Sequence, residues 1–322
     1  MKNIKIITGV AGFVGFSTCR KLLKNNSFVV GIDNMNSYYD INIKKSRIEI
    51  LKEYKNFIFL KIDLRDKENL FKKMDKYKVE TIFHFAAQAG VRHSLLIPKD
   101  YIENNIVATF NILELCKIKK IKHLVLASTS SVYGKSLKKK IDENTDTTKP
   151  LQFYAATKKS CELMAHSYSS IYKLKVTILR FFTLYGPWGR PDMALFKFTK
   201  GILEKKCIQV FNYGNHSRDF TYIDDAVKAI LLMDKLKFKK NLFFREYNVG
   251  NGKLVKLKQY IKEIETNLKM KAKIKYLPLQ KGDVKSILSN NSKLNKFKEF
   301  KNRTNYKVGV KKFIEWYKEY YS

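Results

Sequence analysis

Cysteine is scarce in this chain. It occurs four times in 322 residues, at Cys19, Cys116, Cys161 and Cys207. The four positions are scattered, and no two of them form a Cys-x-x-Cys pair. Disulfide frameworks and structural zinc sites depend on such closely spaced cysteines. The sequence therefore predicts neither disulfides nor a metal site.

Long apolar runs are also missing. A helix needs roughly 18 consecutive apolar residues to span a bilayer, and no run in this sequence approaches that length. A strand-like apolar run begins as early as Ile4, which leaves no room for a signal peptide before it. We therefore expect a cytoplasmic protein with no membrane partner. Its 45% hydrophobic and 13% aromatic residues are typical of a globular chain, with one large domain and a smaller one.

Acidic residues and arginine are few relative to lysine. The chain has 64 basic and 29 acidic residues, a net charge of +35, and only nine of the basic residues are arginine. A basic face is the electrostatic signature of nucleic-acid binding. Here, however, lysines occur in every segment rather than in one stripe, so we expect no nucleic-acid partner. A positive surface would still attract a small anionic substrate.

The first 33 residues have the pattern of a dinucleotide-binding unit. A short β run is followed by Gly9, Gly12 and Gly15, then by a helical pattern, and then by a second β run that ends in Asp33. Glycines let the backbone approach a pyrophosphate at the helix N-terminus, and the acid accepts hydrogen bonds from the adenosine ribose. Because an acid without an adjacent arginine repels a 2′-phosphate, the pattern favours NAD over NADP.

Later strand ends carry the other candidate residues. Predicted strands end at Asp63-Leu64, at residues 85–88 and at the hydroxyl-rich run 129–134. In open parallel sheets, ligands bind at the carboxyl ends of the strands. These strand ends, together with the first βαβ unit, predict a doubly wound Rossmann-type α/β fold whose cofactor and substrate meet at one edge of the sheet.

Tyr154 and Lys158 provide the candidate chemistry. Four residues apart on a helix, they lie on one face, one turn from each other. A nearby ammonium favours the phenolate, so we expect the pKa of the tyrosine to fall from about 10 toward working pH. Such a tyrosine can take a proton from a substrate hydroxyl and later return it.

Together these motifs resemble the extended short-chain dehydrogenases that act on nucleotide sugars, and the resemblance covers essentially the whole chain. It implies that Lys158 also holds the nicotinamide ribose and that Tyr154 and a hydroxyl residue flank the 4-hydroxyl of the sugar. Spacing back from residues 132–134 favours Thr129 as that hydroxyl, while Ser130 and Ser131 stay open as alternatives. The predicted cofactor-binding residues are Gly9, Gly12, Phe13, Val14, Gly15, Asp33, Asn34, Asp63, Leu64, Phe85, Ala86, Ala87, Gln88, Asn105, Ser128, Tyr154, Lys158 and Phe181.

The residues after the predicted catalytic threonine indicate the reaction. Dehydratases of the family have an Asp-Glu pair there and decarboxylases keep a glutamate, whereas this chain has Ser130 and Ser131. Without a carboxyl acid beside the sugar, elimination is disfavoured and epimerisation is expected. Segments 183–198, 218–225, 36–40 and 88–92 look like those of UDP-glucuronate 4-epimerases. The alternatives are a 4-epimerase of neutral UDP-sugars and a non-catalytic nucleotide- or RNA-binding relative.

We expect residues 1–180, with a return segment near 219–250, to form the NAD-binding domain, and residues 181–322 to form most of a smaller α/β substrate domain. Arg190 and Arg218 are candidates for phosphate because a guanidinium can bind it with two hydrogen bonds. The lysine-rich pattern of residues 293–322 predicts solvated terminal helices. The resemblance suggests a homodimer that pairs helices 101–116 and 154–171. The predicted substrate-binding residues are Arg92, Thr129, Ser130, Ser131, Thr183, Arg190, Met193, Arg218 and Asp283.

Overall fold

The structure, a computed structural model, describes residues 4–136, 138–280, 282–301 and 303–321. These residues divide into two compact units. The first unit draws on residues 1–135, 146–180 and 227–247, and the second on residues 136–145, 181–226 and 248–322. Each unit is therefore built from three separate stretches of the chain.

The first unit is built on a seven-stranded sheet. Its strand order is β10-β6-β5-β4-β1-β2-β3, and β3-β2-β1-β4-β5 are joined by parallel pairs. Most of the strand residues are buried, as expected for a parallel sheet covered on both faces. The expected Rossmann-type fold is confirmed. The strands are β1 (Ile4–Thr8), β2 (Phe28–Asp33), β3 (Phe57–Lys61), β4 (Val79–His84), β5 (His123–Thr129), β6 (Lys175–Phe181) and β10 (Phe244–Val249).

Helices follow most of these strands and bury their apolar faces in the same unit. Residues from β1, β5 and β6 pack with those of the helix that starts at Ala108 in one continuous core. That helix follows a π-helical turn at Ile102–Val107, which interrupts the predicted 101–116 helix. The helices are α1 (Phe13–Lys24), α2 (Ile41–Lys52), α3 (Lys67–Met74), α4 (Pro98–Tyr101), α5 (Ala108–Ile118), α6 (Phe153–Tyr172) and α8 (Ile223–Lys235), the last of which begins in the second unit.

The described residues of the second unit form short strands and three further helices. β9 pairs with β7, β11 and β13, while β12 pairs with β8 in a separate two-stranded sheet. This unit therefore has no large parallel sheet among its described residues. Its remaining elements are β7 (Thr183–Tyr185), β8 (Cys207–Phe211), β9 (Ser217–Tyr222), β11 (Leu254–Lys256), β12 (Lys273–Leu277), β13 (Ser286–Ile287), α7 (Ala194–Leu203), α9 (Leu257–Leu268) and α10 (Tyr306–Tyr321).

The prediction that residues 293–322 form solvated helices was wrong, because the last helix is buried along one face. Two short 3-10 turns, Leu294–Lys296 and Lys298–Phe300, precede α10. Although lysine-rich, α10 buries Phe313 and Trp316, and both rings pack against Phe196 of α7. The lysine content hid an amphipathic helix whose apolar stripe closes the core of the second unit.

Candidate active site

The turn after β1 is shaped by glycine. Gly9 has a φ of +69°, and a Cβ there would lie 2.7 Å from the backbone nitrogen of Ala86 at the end of β4. A Cβ on Gly15 would lie 2.1 Å from the carbonyl oxygen of Gly9. The turn and the first turn of α1 therefore pack at a distance that side chains would prevent.

The N-terminus of α1 is open to an anion. Among the described residues, no side chain caps Gly12, and the first turn of α1, which includes Phe13 and Val14, contains no acidic residue. Uncapped N–H groups at the positive end of a helix dipole attract phosphate. These features fit the pyrophosphate of a dinucleotide.

Asp33 lies buried at the end of β2. Its Oδ2 accepts a hydrogen bond from Ala11 N at 3.0 Å and its Oδ1 accepts one from Met35 N at 2.8 Å. Burial raises the pKa of this carboxyl group, whereas the positive charge of Lys44 opposes the rise. A carboxylate has about four lone-pair sites, so two remain for ribose hydroxyls.

The ends of the next two strands carry further predicted cofactor residues. Asp63 accepts hydrogen bonds from Asn34 Nδ2 at 3.3 Å and from the guanidinium of Arg65, which lowers the pKa of its carboxyl group. Leu64 is buried behind it. Past β4, the backbone of residues 85–87 runs alongside β1, where Phe85 N donates to Thr8 O at 3.3 Å.

Asn105 fixes the loop that follows β4. It is fully buried in the π-helical turn, where it accepts from Gln88 N at 2.8 Å and donates to Gln88 O at 3.2 Å. It also donates to Thr157 Oγ1 of α6 at 2.9 Å. π-helical turns often mark functional sites. Here the turn ties the loop after β4 to the helix that carries Tyr154 and Lys158.

The predicted catalytic residues lie on two elements of the first unit that pack against each other. Tyr154 and Lys158 lie on α6, and α6 packs against β5, whose last residue is Thr129. Lys158 is only 3% exposed, and burial lowers the pKa of its ammonium group. Tyr154 is half-buried, and the ring of Tyr101 contacts its ring edge-on, with centroids 6.1 Å apart.

Hydroxyl groups cluster at the end of β5. Thr129 is the N-cap of a 3-10 turn at Ser130–Tyr133, and its Oγ1 accepts a hydrogen bond from Ser131 N at 3.1 Å. Thr129 and Ser130 are buried, and Ser131 is half-buried. The hydroxyl of Ser128 is directed elsewhere, because it donates to Glu162 at 2.6 Å. Thr129 thus lies with two serines beside α6.

His84 has the structural role expected from its place in the sheet. Its ring nitrogens lie 2.7 Å from Thr8 Oγ1 and 3.0 Å from Thr109 Oγ1. Burial, followed by the positive charge of Lys158, lowers its pKa to about 3. The imidazole is therefore neutral near physiological pH and adds no second positive charge near Lys158.

The predicted substrate residues divide between the units. Arg92 is exposed in the first unit, beside a 3-10 turn at His93–Leu95. In the second unit, a pocket of about 30 Å³ is lined by Thr183, Arg190 and Met193 together with apolar side chains.

Arg190 and Arg218 both have partners within the second unit. Arg190 Nε donates to Asp192 Oδ1 at 2.9 Å, in a two-point ion pair. Arg218 Nη1 donates to the carbonyl oxygens of Ser217 and Lys285 at 3.1 Å each. Asp283 N donates to Gln280 O at 3.2 Å in a nearby turn. Their ligand contacts, and that of Phe181 at the end of β6, stay predictions.

Sequence reasoning missed several buried charges. Glu162 and Arg180 form a buried ion pair next to the predicted catalytic residues. Lys44 and Arg47 of α2 are buried close to Asp33, and Arg47 donates to Ala11 O at 2.6 Å. Extending the Tyr154–Lys158 face by one more turn would have found Glu162. No local pattern distinguishes Lys44 from the many exposed lysines.

The described residues contain neither a membrane-spanning helix nor a metal-binding cluster. None of their helices is long and apolar enough to cross a membrane. No group of three or more histidine, cysteine, aspartate or glutamate side chains in the described part could hold a metal ion.

Comparison with known proteins defines the class. The sequence model of the NAD dependent epimerase/dehydratase family matches residues 5–250, and this chain belongs to that family. Its NAD requirement agrees with the glycine turn and with Asp33.

Particular relatives share nearly the full length. A probable UDP-glucuronate 4-epimerase of Rhizobium meliloti is 41% identical over 331 residues, which cover 98% of this chain and 97% of that protein. The UDP-glucuronate 4-epimerase of Thermodesulfobacterium geofontis is 41% identical over 316 residues, covering 98% and 96%. Among solved structures, the Bacillus cereus UDP-glucuronic acid 4-epimerase in complex with UDP-glucuronic acid and NAD superimposes with a TM-score of 0.91, at 31% identity, covering 99% of this chain and 100% of that one.

Proposed function

We propose that this chain is an isomerase that interconverts UDP-glucuronate and UDP-galacturonate by NAD-dependent epimerisation at carbon 4 of the sugar. The observation that carries the proposal is the composition of the β5 end, where Thr129, Ser130 and Ser131 present hydroxyl groups beside α6. Hydroxyl groups can donate hydrogen bonds to a sugar carboxylate, which an acid at the same place would repel. Relatives named for this reaction cover almost the whole chain.

Tyr154 acts as the base. It takes the proton from the 4-hydroxyl, while the adjacent Lys158 ammonium favours the phenolate, and it returns the proton later. Thr129 hydrogen-bonds the same oxygen. When bound, NAD supplies the hydride chemistry and is regenerated in each turnover. It is held by the open N-terminus of α1 and by Asp33.

The 4-keto sugar formed in this way rotates about its link to the diphosphate before it is reduced on its other face. It is a β-keto acid and loses carbon dioxide readily when its carboxylate aligns with the carbonyl π system. Ser130, Ser131 and Thr183 hold the carboxylate out of that alignment. Arg190 and Arg218 anchor the diphosphate, and Arg92, Met193 and Asp283 complete the contacts to the substrate.

The finer organisation belongs to the same proposal. We assign residues 1–180, with the return segment near 219–250, to the NAD-binding domain and most of residues 181–322 to the UDP-sugar domain. The compact units differ from this assignment in placing residues 136–145 and 219–226 with the second unit. The chain forms a homodimer through α5 and α6, which is supported by the exposure of Phe110, Leu163 and Ile171. It works in the cytoplasm, in polysaccharide biosynthesis; Cys19, Cys116 and Cys161 are buried free thiols, as is usual in reducing compartments.

A product analysis tests the reaction. Incubation of the purified protein with UDP-glucuronate should give UDP-galacturonate with no net NADH, because the hydride returns to the sugar. UDP-glucose and UDP-N-acetylglucosamine, assayed in parallel, should react much more slowly. Faster turnover of the neutral sugars would favour the alternative epimerase, and UDP-xylose or its 4-keto precursor as the main product would reject the proposal.

A further inference from the structure

A buried ion pair lies one turn beyond Lys158 on the same face of α6. Glu162 is 2% exposed, and its two carboxylate oxygens accept hydrogen bonds from Arg180 Nε at 2.9 Å and Arg180 Nη2 at 2.8 Å. Arg180, on β6, is also 2% exposed. Burial alone would raise the pKa of Glu162, but the hydrogen bonds and charge of Arg180 lower it, so the pair is ionised.

Both members of the pair also hold the hydroxyl-bearing segment at the end of β5. Ser128 Oγ donates to Glu162 Oε1 at 2.6 Å, immediately before Thr129. Arg180 Nη1 donates to the hydroxyl of Tyr133 at 3.1 Å, at the last residue of the 3-10 turn. Residues 128–133 are therefore held at both ends by one ion pair, and the three candidate hydroxyl groups lie between the two attachment points.

We propose that Glu162 and Arg180 are positioning residues, which hold residues 128–133 so that the Thr129 hydroxyl stays aligned with Tyr154. The inference rests on the proposed function, because that alignment is needed for the 4-hydroxyl to meet both groups. The arrangement is suited to the task because Glu162 and Tyr154 belong to the same helix. Any shift of α6 is thereby passed to the β5 end through charged hydrogen bonds that water does not reach.

The geometry also allows an alternative role for the ion pair, which is only to hold α6 against β6. Buried ion pairs are often dispensable for stability, so their presence alone proves no function. The two roles can be distinguished by the hydrogen bonds that Ser128 makes with Glu162 and Tyr133 makes with Arg180. If the pair only holds α6 against β6, removing these two hydrogen bonds leaves turnover unchanged, because the contact between Glu162 and Arg180 survives.

The variants Ser128→Ala and Tyr133→Phe each remove one of these hydrogen bonds and keep the ion pair. We expect each variant to lower kcat for UDP-glucuronate by about tenfold, with KM changed by less than about twofold, because small misplacements of catalytic groups slow the chemical step. Ser128→Thr keeps a hydroxyl group and should recover most of the rate. The control is Lys159→Met, which removes another partner of the Glu162 carboxylate, at 3.2 Å, that does not touch residues 128–133. It should keep kcat within about twofold of the unmodified value.

Amide hydrogen exchange gives a second reading that needs no turnover. Exchange at residues 129–134 should be faster in Ser128→Ala and Tyr133→Phe than in the unmodified chain, and unchanged in Lys159→Met. If the unmodified chain does not epimerise UDP-glucuronate, the proposed function fails. Hydrogen exchange then still shows whether the hydrogen bonds of Ser128 and Tyr133 hold residues 128–133. Unchanged exchange in both variants, or kcat within about twofold of the unmodified rate, would overturn the inference.

Discussion

At the scale of single residues, the charge on Lys158 depends on its neighbours. Burial lowers the pKa of its ammonium group, while the negative charge of Glu162 opposes that fall. The neutral His84 adds no repulsion on the other side. Because Lys158 is only 3% exposed, the field that its ammonium group exerts on a neighbouring phenol is poorly screened.

Tyr154→Phe tests the base. We expect the variant to bind NAD and UDP-glucuronate as the unmodified chain does, because it loses one oxygen atom and keeps the ring. Turnover should fall by a factor of about 10² to 10⁴, the usual contribution of a general base. Bound NAD is measured after denaturation, and turnover by product analysis. Activity near that of the unmodified protein would refute the assignment.

The buried histidines predict how stability depends on pH. Burial lowers the pKa of both His84 and His123 to about 3, so the unfolded chain binds more protons than the native chain below pH 6.5. Stability contributed by the neutral rings is then complete above pH 6.5 and is lost as pH falls toward 3. Between pH 7 and pH 5 the free energy of unfolding should decrease by up to about 2 kcal/mol per histidine.

Urea unfolding at the two pH values measures this decrease. The window lies above the usual range of carboxyl groups, so histidine is the main group that titrates in it. Burial raises the carboxyl pKa of Asp33 and Asp219, and their protonation acts on stability in the opposite direction. A free energy of unfolding that is equal or higher at pH 5 would contradict the expected neutral histidines.

Residues whose chemistry depends on local spacing could be identified from the sequence. Gly9, Gly15 and Asp33 follow from the βαβ pattern, and the structure gives each a steric or hydrogen-bonding reason. Arg47 could not be predicted, because its burial depends on Tyr39 and Ala11 meeting it from other elements. Arg190 has a clear partner in Asp192, so its predicted contact with phosphate requires that carboxylate to share it.

At the scale of elements, α9 ends in an unfavourable backbone conformation. Its C-cap, Lys269, has a φ of 56°, in the left-handed region. Met270 N donates to Glu265 O at 3.2 Å, as in a Schellman motif, where glycine is the preferred residue. The left-handed conformation costs a residue with a Cβ roughly 1 kcal/mol.

Lys269→Gly should therefore stabilise the chain by about 1 kcal/mol. The side chain is exposed, so its removal loses little packing. Urea unfolding measures the change, and Lys269→Ala is the matched control, since it removes the same charge and keeps the Cβ. A gain of the same size in the alanine variant would show that charge, rather than backbone strain, is relieved.

The type of most elements could be predicted, whereas some interruptions and burial could not. The strands that supply the site end close to the predicted residues, because apolar runs bounded by turns are a local signal. The π-helical turn at Ile102–Val107 depends on Asn105 bonding to Gln88 and Thr157, which lie far apart in the sequence. The buried stripe of α10 was concealed by its lysines.

At the scale of the whole molecule, the exposed apolar residues of α5 and α6 predict the effect of a charge. Leu163 is 59% exposed on α6. In the proposed homodimer its side chain is covered, so Leu163→Glu should convert the dimer to a monomer, whereas Leu254→Glu should not. Leu254, 43% exposed on β11 of the second unit, is the matched control. Light scattering at several concentrations measures the mass, and a monomeric unmodified chain would contradict the proposed assembly.

The order of the strands affects how the protein folds while it is being synthesised. β6 stands beside β10, yet residues 182–243 are synthesised between them, and residues 182–226 of that stretch belong to the other unit. On the ribosome, a nascent chain that has emerged only as far as β6 exposes a hydrogen-bonding strand edge until residue 249 appears. Chaperones that shield this edge would raise the yield of native protein, and a chain cut short before β10 would be prone to aggregate.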